Sequence, residues 1–427
     1  MNTRFKAFSI PASAAVLAVL AAMAMLLAAC GGATPTEPPA ATDAPPAEQP
    51  TEEVAPTEPA PPAEPRTVRI GVLNPTTGGL AVFGEQENSG IQLYFDNHEI
   101  EGVTVELLFA DTAGDPQQAL EQGRRLVEQE NVDFLMGLVN SAVAVPMAQF
   151  AGEEQVPFLM VVAGAQAATG PDRSPYVYRT GMANGQQDRP LGWYAATTLG
   201  YTKAATFAWD FLVGVERAGG FAETFTAAGG EIVLEQKPPL TTTDYGPFIS
   251  QIDPAAVEVV YSFFAGPGAI AYVQQMREFG ITPDIRIVGP GFLTAGVLDQ
   301  MGENAVGIVQ GAEYTPALDN PENTAFQETY GSQVGGVAGV YVAEGYLGAE
   351  VAARAIEAVG GDLSDAQRFL DALGAVAFDS IAGPFRFGQD GQSIRNVYIT
   401  EVVRADDGTV SQQIVDVIEA VGMDWAP

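Results

Sequence analysis

One cysteine, Cys30, and one histidine, His98, set narrow bounds on the chemistry open to this chain of 427 residues. With a single thiol no disulfide forms within the chain, and a zinc cluster of His and Cys has too few ligands. A Ser-His-Asp triad would have to use His98. Ile91, Tyr94 and Phe95 precede it at helical spacing, which marks His98 as a helix-end residue instead. Asp and Glu number 53 against 19 Lys and Arg, yet no pair is marked out for acid–base work. The sequence therefore offers no catalytic residue, no metal site and no cofactor motif, and the reading is not an enzyme. The net charge of −34 repels phosphate backbones and anionic headgroups, so nucleic acid and direct lipid-surface binding are excluded. Otherwise the acidity serves solubility.

What remains is binding, and Ser141 is the residue best placed for it. "GLVNSAVAVP" (137–146) ends a strand and begins a helix at Ser141. A hydroxyl beside free helix N–H groups can hold a carboxylate. The residues alone leave two readings open, a ligand contact or a plain helix N-cap. "VVAGAQAATG" (161–170) is a second loop, of small residues that let a ligand approach the backbone.

These loops need a scaffold, and the alternation of segments supplies one. "TVRIGVL" (67–73), "VTVELLFAD" (103–111), "VDFLMGL" (132–138) and "PFLMVV" (157–162) read as buried strands. Helices separate them, around 85–97, from Asp115-Pro116 and from Ser141. Asp115 is an N-cap and Pro116 a first helical residue. Ala119, Leu120, Gly123, Leu126 and Val127 give that helix its inward face. A second series follows: "AATFAWD" (204–210), "EIVLEQ" (231–236), "VEVVYSF" (257–263) and "IRIVGP" (285–290). Strands spaced by helices form parallel sheets covered on both faces, and two series predict two such lobes. About 360 residues from Thr67 on are also too many for one typical core. Long helices around 338–360 and 364–373 come next. "GPFRFG" and "NVYITEVV" close the pattern as strands joined by a turn at Asp390-Gly391. Ligands of parallel α/β lobes sit at the carboxyl ends of the strands, so the cleft between lobes is the expected site.

The start of the chain has a different character. Arg4 and Lys6 precede an uncharged apolar stretch, Ala14 to Ala29, as in a secretory signal of residues 1–29. Leu27-Ala28-Ala29-Cys30 resembles the bacterial lipobox, which implies lipid on the Cys30 thiol and cleavage before it. Residues 30–66 are Pro, Ala, Thr and Glu with almost nothing large and apolar. Such a segment cannot offset its ordering entropy, so a disordered tether is expected.

The whole layout resembles the solute-binding proteins of ABC transporters, in the type I branch related to leucine/isoleucine/valine-binding proteins. "IGVLNPTTGGLAVFG", "DTAGDPQQA", "SAVAVP", "VAGAQAA", "YVYRTGMANGQQ" and "YTPALDNPENTAF" carry the resemblance, in this order. It implies two doubly wound parallel-sheet lobes joined by a three-strand hinge, with crossings near 182, 312 and 392. Lobe 1 would comprise 67–182 plus 313–392, and lobe 2 183–312 plus 393–427. Carried over by position, Phe83 lies over the ligand, Ser141 and the Ala142 N–H grip its carboxylate, and Ala165 and Gln166 form the second ligand loop. Asp210, Val213, Ala265 and Gly291 match ligand-facing positions of lobe 2. Arg179, Gln186 and Gln187 sit by the first crossing in a structural role. The partners implied are a small-molecule ligand, the permease and ATPase subunits, and a lipid anchor holding the protein outside the bacterial cytoplasm.

Two departures bear on the ligand. Amino-acid binders place a glutamate where this chain has Gly291, to neutralise the ligand's ammonium, and a threonine where it has Gln166. An ammonium buried without a counter-charge costs several kcal/mol, on the order of the effective penalty for an unpaired ion. "PLTTTDYGPF", "FFAGPGAIAYVQQMREFG" and "GPGFLT" also resemble the sub-branch with binders of aromatic carboxylates. Val213, Ala265 and Gly291 are small enough to leave space for a ring. The leading expectation is a receptor for a small apolar or aromatic carboxylate. The alternatives are branched-chain or other apolar amino acids, with Asp210 or Glu216 as counter-charge, and a ligand sensor of the same fold.

Overall fold

The structure, a computed structural model, describes residues 66–406 and 408–427. The signal-like segment, Cys30 and the proline-rich stretch to Pro65 lie outside the described residues.

The first elements are β1 (Arg66–Asn74), α1 (Ala81–Asn97), β2 (Val103–Asp111), α2 (Pro116–Arg124), β3 (Phe134–Gly137), α3 (Ser141–Glu153), β4 (Phe158–Met160) and β5 (Val177–Arg179). The five strands pair in the order β2-β1-β3-β4-β5, all parallel. Register sets Ile70 between Leu107 and Phe134. Helices cover both faces, so Val68, Ile70 and Val72 are buried as a near-continuous apolar run requires. Asp115 caps α2 by accepting from the Gln117 and Gln118 N–H groups at 2.9 Å each. The helix runs on as a π turn through Gln129, and Ala119, Gly123 and Leu126 face inward.

The chain then builds a second sheet through α4 (Asp188–Thr197), β6 (Lys203–Ala208), α5 (Leu212–Ala227), β7 (Glu231–Gln236), α6 (Gly246–Ile249), β8 (Val259–Phe263), α7 (Gly266–Glu278), β9 (Arg286–Pro290), α8 (Leu298–Met301) and β10 (Val309–Ala312). Strands β7-β6-β8-β9-β10 are parallel neighbours. Next come α9 (Pro321–Gln333), α10 (Val340–Ala358) and α11 (Ala366–Gly374). Their Phe326, Leu347 and Phe369 return to the core of the first sheet, clustering with Val68 and Ile70. β11 (Ala377–Ser380), β12 (Gly383–Phe387), β13 (Ser393–Arg404) and β14 (Val410–Val421) follow as antiparallel neighbours. Strand β13 also runs antiparallel to β10, with Tyr398 opposite Ala312.

The observed fold is the expected pair of α/β lobes with parallel sheets, and its differences from the sequence reading are local. The strand expected over 157–162 stops at Met160, because its partner β3 ends at Gly137. Strand β14 was not expected at all. It pairs only with β13, and Val415 and Val417 are exposed, so no continuous apolar run marked it. His98 is a helix-end residue, at the C-cap of α1, stacked on Tyr94 at 4.3 Å. Among the described residues no helix is long and apolar enough to cross a membrane.

Candidate functional site

The candidate site lies where the loops after the strands of one sheet meet those of the other. Phe83, on the first turn of α1, approaches the loop after β8: a Cβ at Gly266 would sit 3.8 Å from its ring. Between the sheets the first group of polar residues gathers around Ser141. The N-cap reading of Ser141 fails, since Asn140 holds that place. Its Oδ1 accepts the Ala142 N–H at 3.1 Å, so that N–H is already engaged. Ser141 is the first helical residue and is buried. Its Oγ accepts from the Gly164 N–H at 3.0 Å and from the Asn184 amide at 3.4 Å. A hydroxyl has one proton to give as well, and the described residues show no acceptor for it.

Arg179 shapes the second loop from behind. Fully buried at the end of β5, it donates to the carbonyls of Ala163 at 3.2 Å and Ala165 at 2.7 Å. With those carbonyls turned toward Arg179, the next N–H, that of Gln166, is left to another partner. It reaches Glu216 of α5, 3.4 Å from each carboxylate oxygen. Gln166 Nε2 donates to the Asn184 carbonyl at 2.7 Å, and Asn184 Nδ2 donates to Glu216 at 2.8 Å. Burial lowers the Arg179 pKa to about 10, opposed by the nearby carboxylates of Glu216, Asp390 and Glu313. The guanidinium thus stays charged at neutral pH and lends the loop a positive field.

Aromatic side chains form a second group. Phe83 stacks on Tyr341 at 4.5 Å, and Phe292 lies 5.6 Å from the same ring. The Arg217 guanidinium covers Phe292 at 4.9 Å and Phe263 at 5.3 Å. It is held by Asp188 at 3.1 Å, itself bonded by the Tyr261 hydroxyl at 2.7 Å. Burial pushes the Asp188 carboxyl up, and Arg217 pulls it back. Gly291 opens a short turn after β9, where a Cβ would lie only 3.0 Å from that of Ala312. A hollow of about 210 Å³ lies beside it, bordered by Gln187, Phe292, Glu313, Tyr314 and Val340 among others. Of the expected ligand residues, only Gly291 borders that hollow.

The expected residues therefore fall into groups. Ser141, Ala165 and Gln166 come together around Asn184. Ala265 is the N-cap of α7, and the next residue, Gly266, comes close to Phe83. Val213 is half-buried on the first turn of α5, whereas Asp210 is exposed and its N–H donates to the Pro238 carbonyl. Sequence reasoning missed Asn184, Tyr341, Phe292 and Arg217. Tyr341 is embedded in an apolar helix, and Arg217 reads as an ordinary helix-surface charge until Asp188 is brought beside it. Among the described residues no cluster of His, Cys, Asp and Glu suits a metal ion.

Two α/β lobes whose strand-end loops face one another define the type I periplasmic-binding fold. The chain belongs to the periplasmic binding protein family, whose model matches residues 67–409. That family is one of binding proteins, not of enzymes. The chain is 30% identical over 364 residues to Leu/Ile/Val-binding protein homolog 6 of Brucella melitensis biotype 1, covering 83% of this chain and 92% of that protein. Its structure is similar to that of an ABC transporter substrate-binding protein from Sphaerobacter thermophilus, with TM-score 0.81, 34% identity, and coverage of 83% and 99%. It is also similar to a solute-binding protein of an ABC transporter from Rhodopseudomonas palustris BisB5 in complex with 3,4-dihydroxybenzoic acid. That pair has TM-score 0.78, 28% identity, and coverage of 84% and 99%.

Proposed function

We propose that this chain is the extracytoplasmic solute-binding receptor of an ABC importer and captures a small aromatic carboxylate as its lobes close. The observation that carries this reading is an anion position lined by the Ser141 hydroxyl, the Gln166 N–H and the Asn184 amide, with Arg179 behind. The rings of Phe83, Tyr341 and Phe292 pack against one another, and a planar ring laid against them would gain from stacking as well as burial. Gly291 brings no charge to this cleft. The dihydroxybenzoate complex of the related Rhodopseudomonas protein supports the same ligand class.

We assign 67–182 plus 313–392 to lobe 1 and 183–312 plus 393–427 to lobe 2, with the ligand held by Phe83, Ser141, Ala165 and Gln166 on one side and Val213, Ala265 and Gly291 on the other. Residues 1–29 are read as a signal peptide, and lipid on Cys30 anchors the protein to the membrane through the tether.

One observation favours a second reading. Glu216 stands in the site and can serve an α-ammonium group, as a branched-chain or apolar amino acid would need. A thermal-shift screen of aromatic acids, aliphatic acids and amino acids tests both. A ligand at 100 times its Kd stabilises by about 2.7 kcal/mol. Shifts from aromatic acids are expected, and shifts from amino acids alone would replace the first reading by the second.

A further inference from the structure

Two donors of the polar group around Ser141, the Gln166 N–H and the Asn184 amide, already face an anion, and that anion belongs to the protein. Both oxygens of Glu216 face the Gln166 N–H, and one takes the Asn184 amide proton at 2.8 Å. The same amide nitrogen lies 3.4 Å from Ser141 Oγ. Arg179, which holds the loop from behind, feels the Glu216 charge directly. We infer that Glu216 is a built-in competitor: it takes the donors of the carboxylate position and must leave when a ligand carboxylate arrives.

Three physical points carry this. Two carboxylates cannot share one set of donors, because like charges a few ångströms apart disfavour each other's ionised forms. The bonds from Gln166 are long, at 3.4 Å each, so releasing them costs little. Glu216 is also only half-buried on the second turn of α5, so its side chain can swing toward water. Its partners belong to the loop after β4 and to the segment between β5 and α4, whereas α5 packs in the second sheet's core. By the lobe assignment above, Asn184 and α5 both belong to lobe 2, so the pair with the Gln166 N–H is the contact that Glu216 makes between the lobes. A self-occupied state lowers the fraction of molecules able to bind, and the apparent Kd rises by the inverse of that fraction.

The inference rests on the carboxylate reading above for its ligand, but not for its scattering test. Glu216→Ala removes the competitor, and Glu216→Gln removes its charge while keeping its shape. Calorimetric titration with 3,4-dihydroxybenzoate and with benzoate is expected to show binding tighter in both variants than in wild type, by about fivefold or more in Glu216→Ala. Small-angle scattering without ligand is expected to show a larger radius of gyration for Glu216→Ala, with its melting curve still cooperative. Unchanged or weaker binding overturns the inference, since a ligand partner rather than a competitor would then have been removed. An unchanged radius of gyration overturns it too. If neither acid binds wild type or variants, the carboxylate reading fails and the scattering result alone decides the role of Glu216.

Discussion

The Arg395 guanidinium lies 2.9 Å from the Glu344 carboxylate, and both side chains are 1% exposed. Arg395 also donates to the carbonyls of Thr180 at 3.2 Å and Glu313 at 3.1 Å. One side chain of β13 thus gathers the segments that follow β5 and β10, close to where the chain passes between its two cores. A buried pair contributes little net stability, but removing one partner leaves the other charge stranded. Arg395→Met is expected to cost about 3–5 kcal/mol, read from urea unfolding. A loss below about 1 kcal/mol, the size of an exposed pair, would mean that water reaches this cluster.

Glu87 should make stability fall as pH rises. It is fully buried between α1 and α10, and one oxygen accepts from the Asn74 amide at 2.9 Å while the other has no partner. Burial pushes its pKa up to about 8, against the smaller opposing effect of Asn74. Between the unfolded value of 4.5 and about 8 the folded chain holds a proton that the unfolded chain has lost. Its contribution is therefore complete below 4.5 and is lost as pH climbs toward 8. Glu87→Gln keeps the amide contact without the titration. The variant should lose less stability than wild type between pH 5 and 8, by up to about 1.4 kcal/mol per pH unit. Parallel stability–pH curves for the two proteins would show that Glu87 titrates normally.

Ser141→Ala is expected to weaken ligand binding by roughly 1–3 kcal/mol, the range for hydrogen bonds to a charged group. It would also strip the Gly164 N–H of its acceptor. Stability alone is therefore a poor readout, and calorimetric affinity on the folded variant is the measurement. Equal affinity in both proteins would leave Ser141 with a purely internal role.

The architecture was legible because parallel strands are uniformly apolar and their helices keep a 3.6-residue period. Val68 to Leu73 and Asp115-Pro116 are examples that the structure repeats almost residue for residue. Candidate site residues on strand-to-helix loops, such as Ser141 and Gln166, were legible for the same reason. What escaped was whatever depends on long-range pairing. Asn184 has no local signal, and its role comes from Ser141 and Glu216 at sequence separations of 43 and 32. Arg217 gains meaning only beside Asp188, 29 residues away. Asn140 took the cap from its neighbour Ser141, a one-residue shift of the kind that helix-boundary reasoning does not resolve.

The proposed lipid anchor is tested at Cys30. Cys30→Ser should move the protein from the membrane fraction to the soluble fraction and abolish labelling by a palmitate analogue. A variant that stays with the membrane would place the anchor elsewhere.

The final prediction concerns what the wild-type cleft prefers. The resemblance to amino-acid binders sets Gly291 where they carry a glutamate, and a glycine there brings no charge to meet an ammonium group. An α-amino group taken into the cleft must then compete for Glu216, which is already engaged with Asn184 and Gln166. A carboxylic acid lacking that group avoids the desolvation of an unpaired cation. Phenylpropanoate should therefore bind more tightly than phenylalanine, by about tenfold or more, which corresponds to about 1.4 kcal/mol. Installing a glutamate reverses the logic, because it offers the ammonium a partner and repels a second carboxylate. Space has to be made for it, since the new Cβ would crowd Ala312 at 3.0 Å. The variant to build is thus Gly291→Glu together with Ala312→Gly, with Ala312→Gly alone as control. Titrations of both ligands on wild type, control and double variant should show the preference move toward phenylalanine only in the double variant. Tighter binding of phenylalanine to wild type would sink the idea and leave the amino-acid reading in its place.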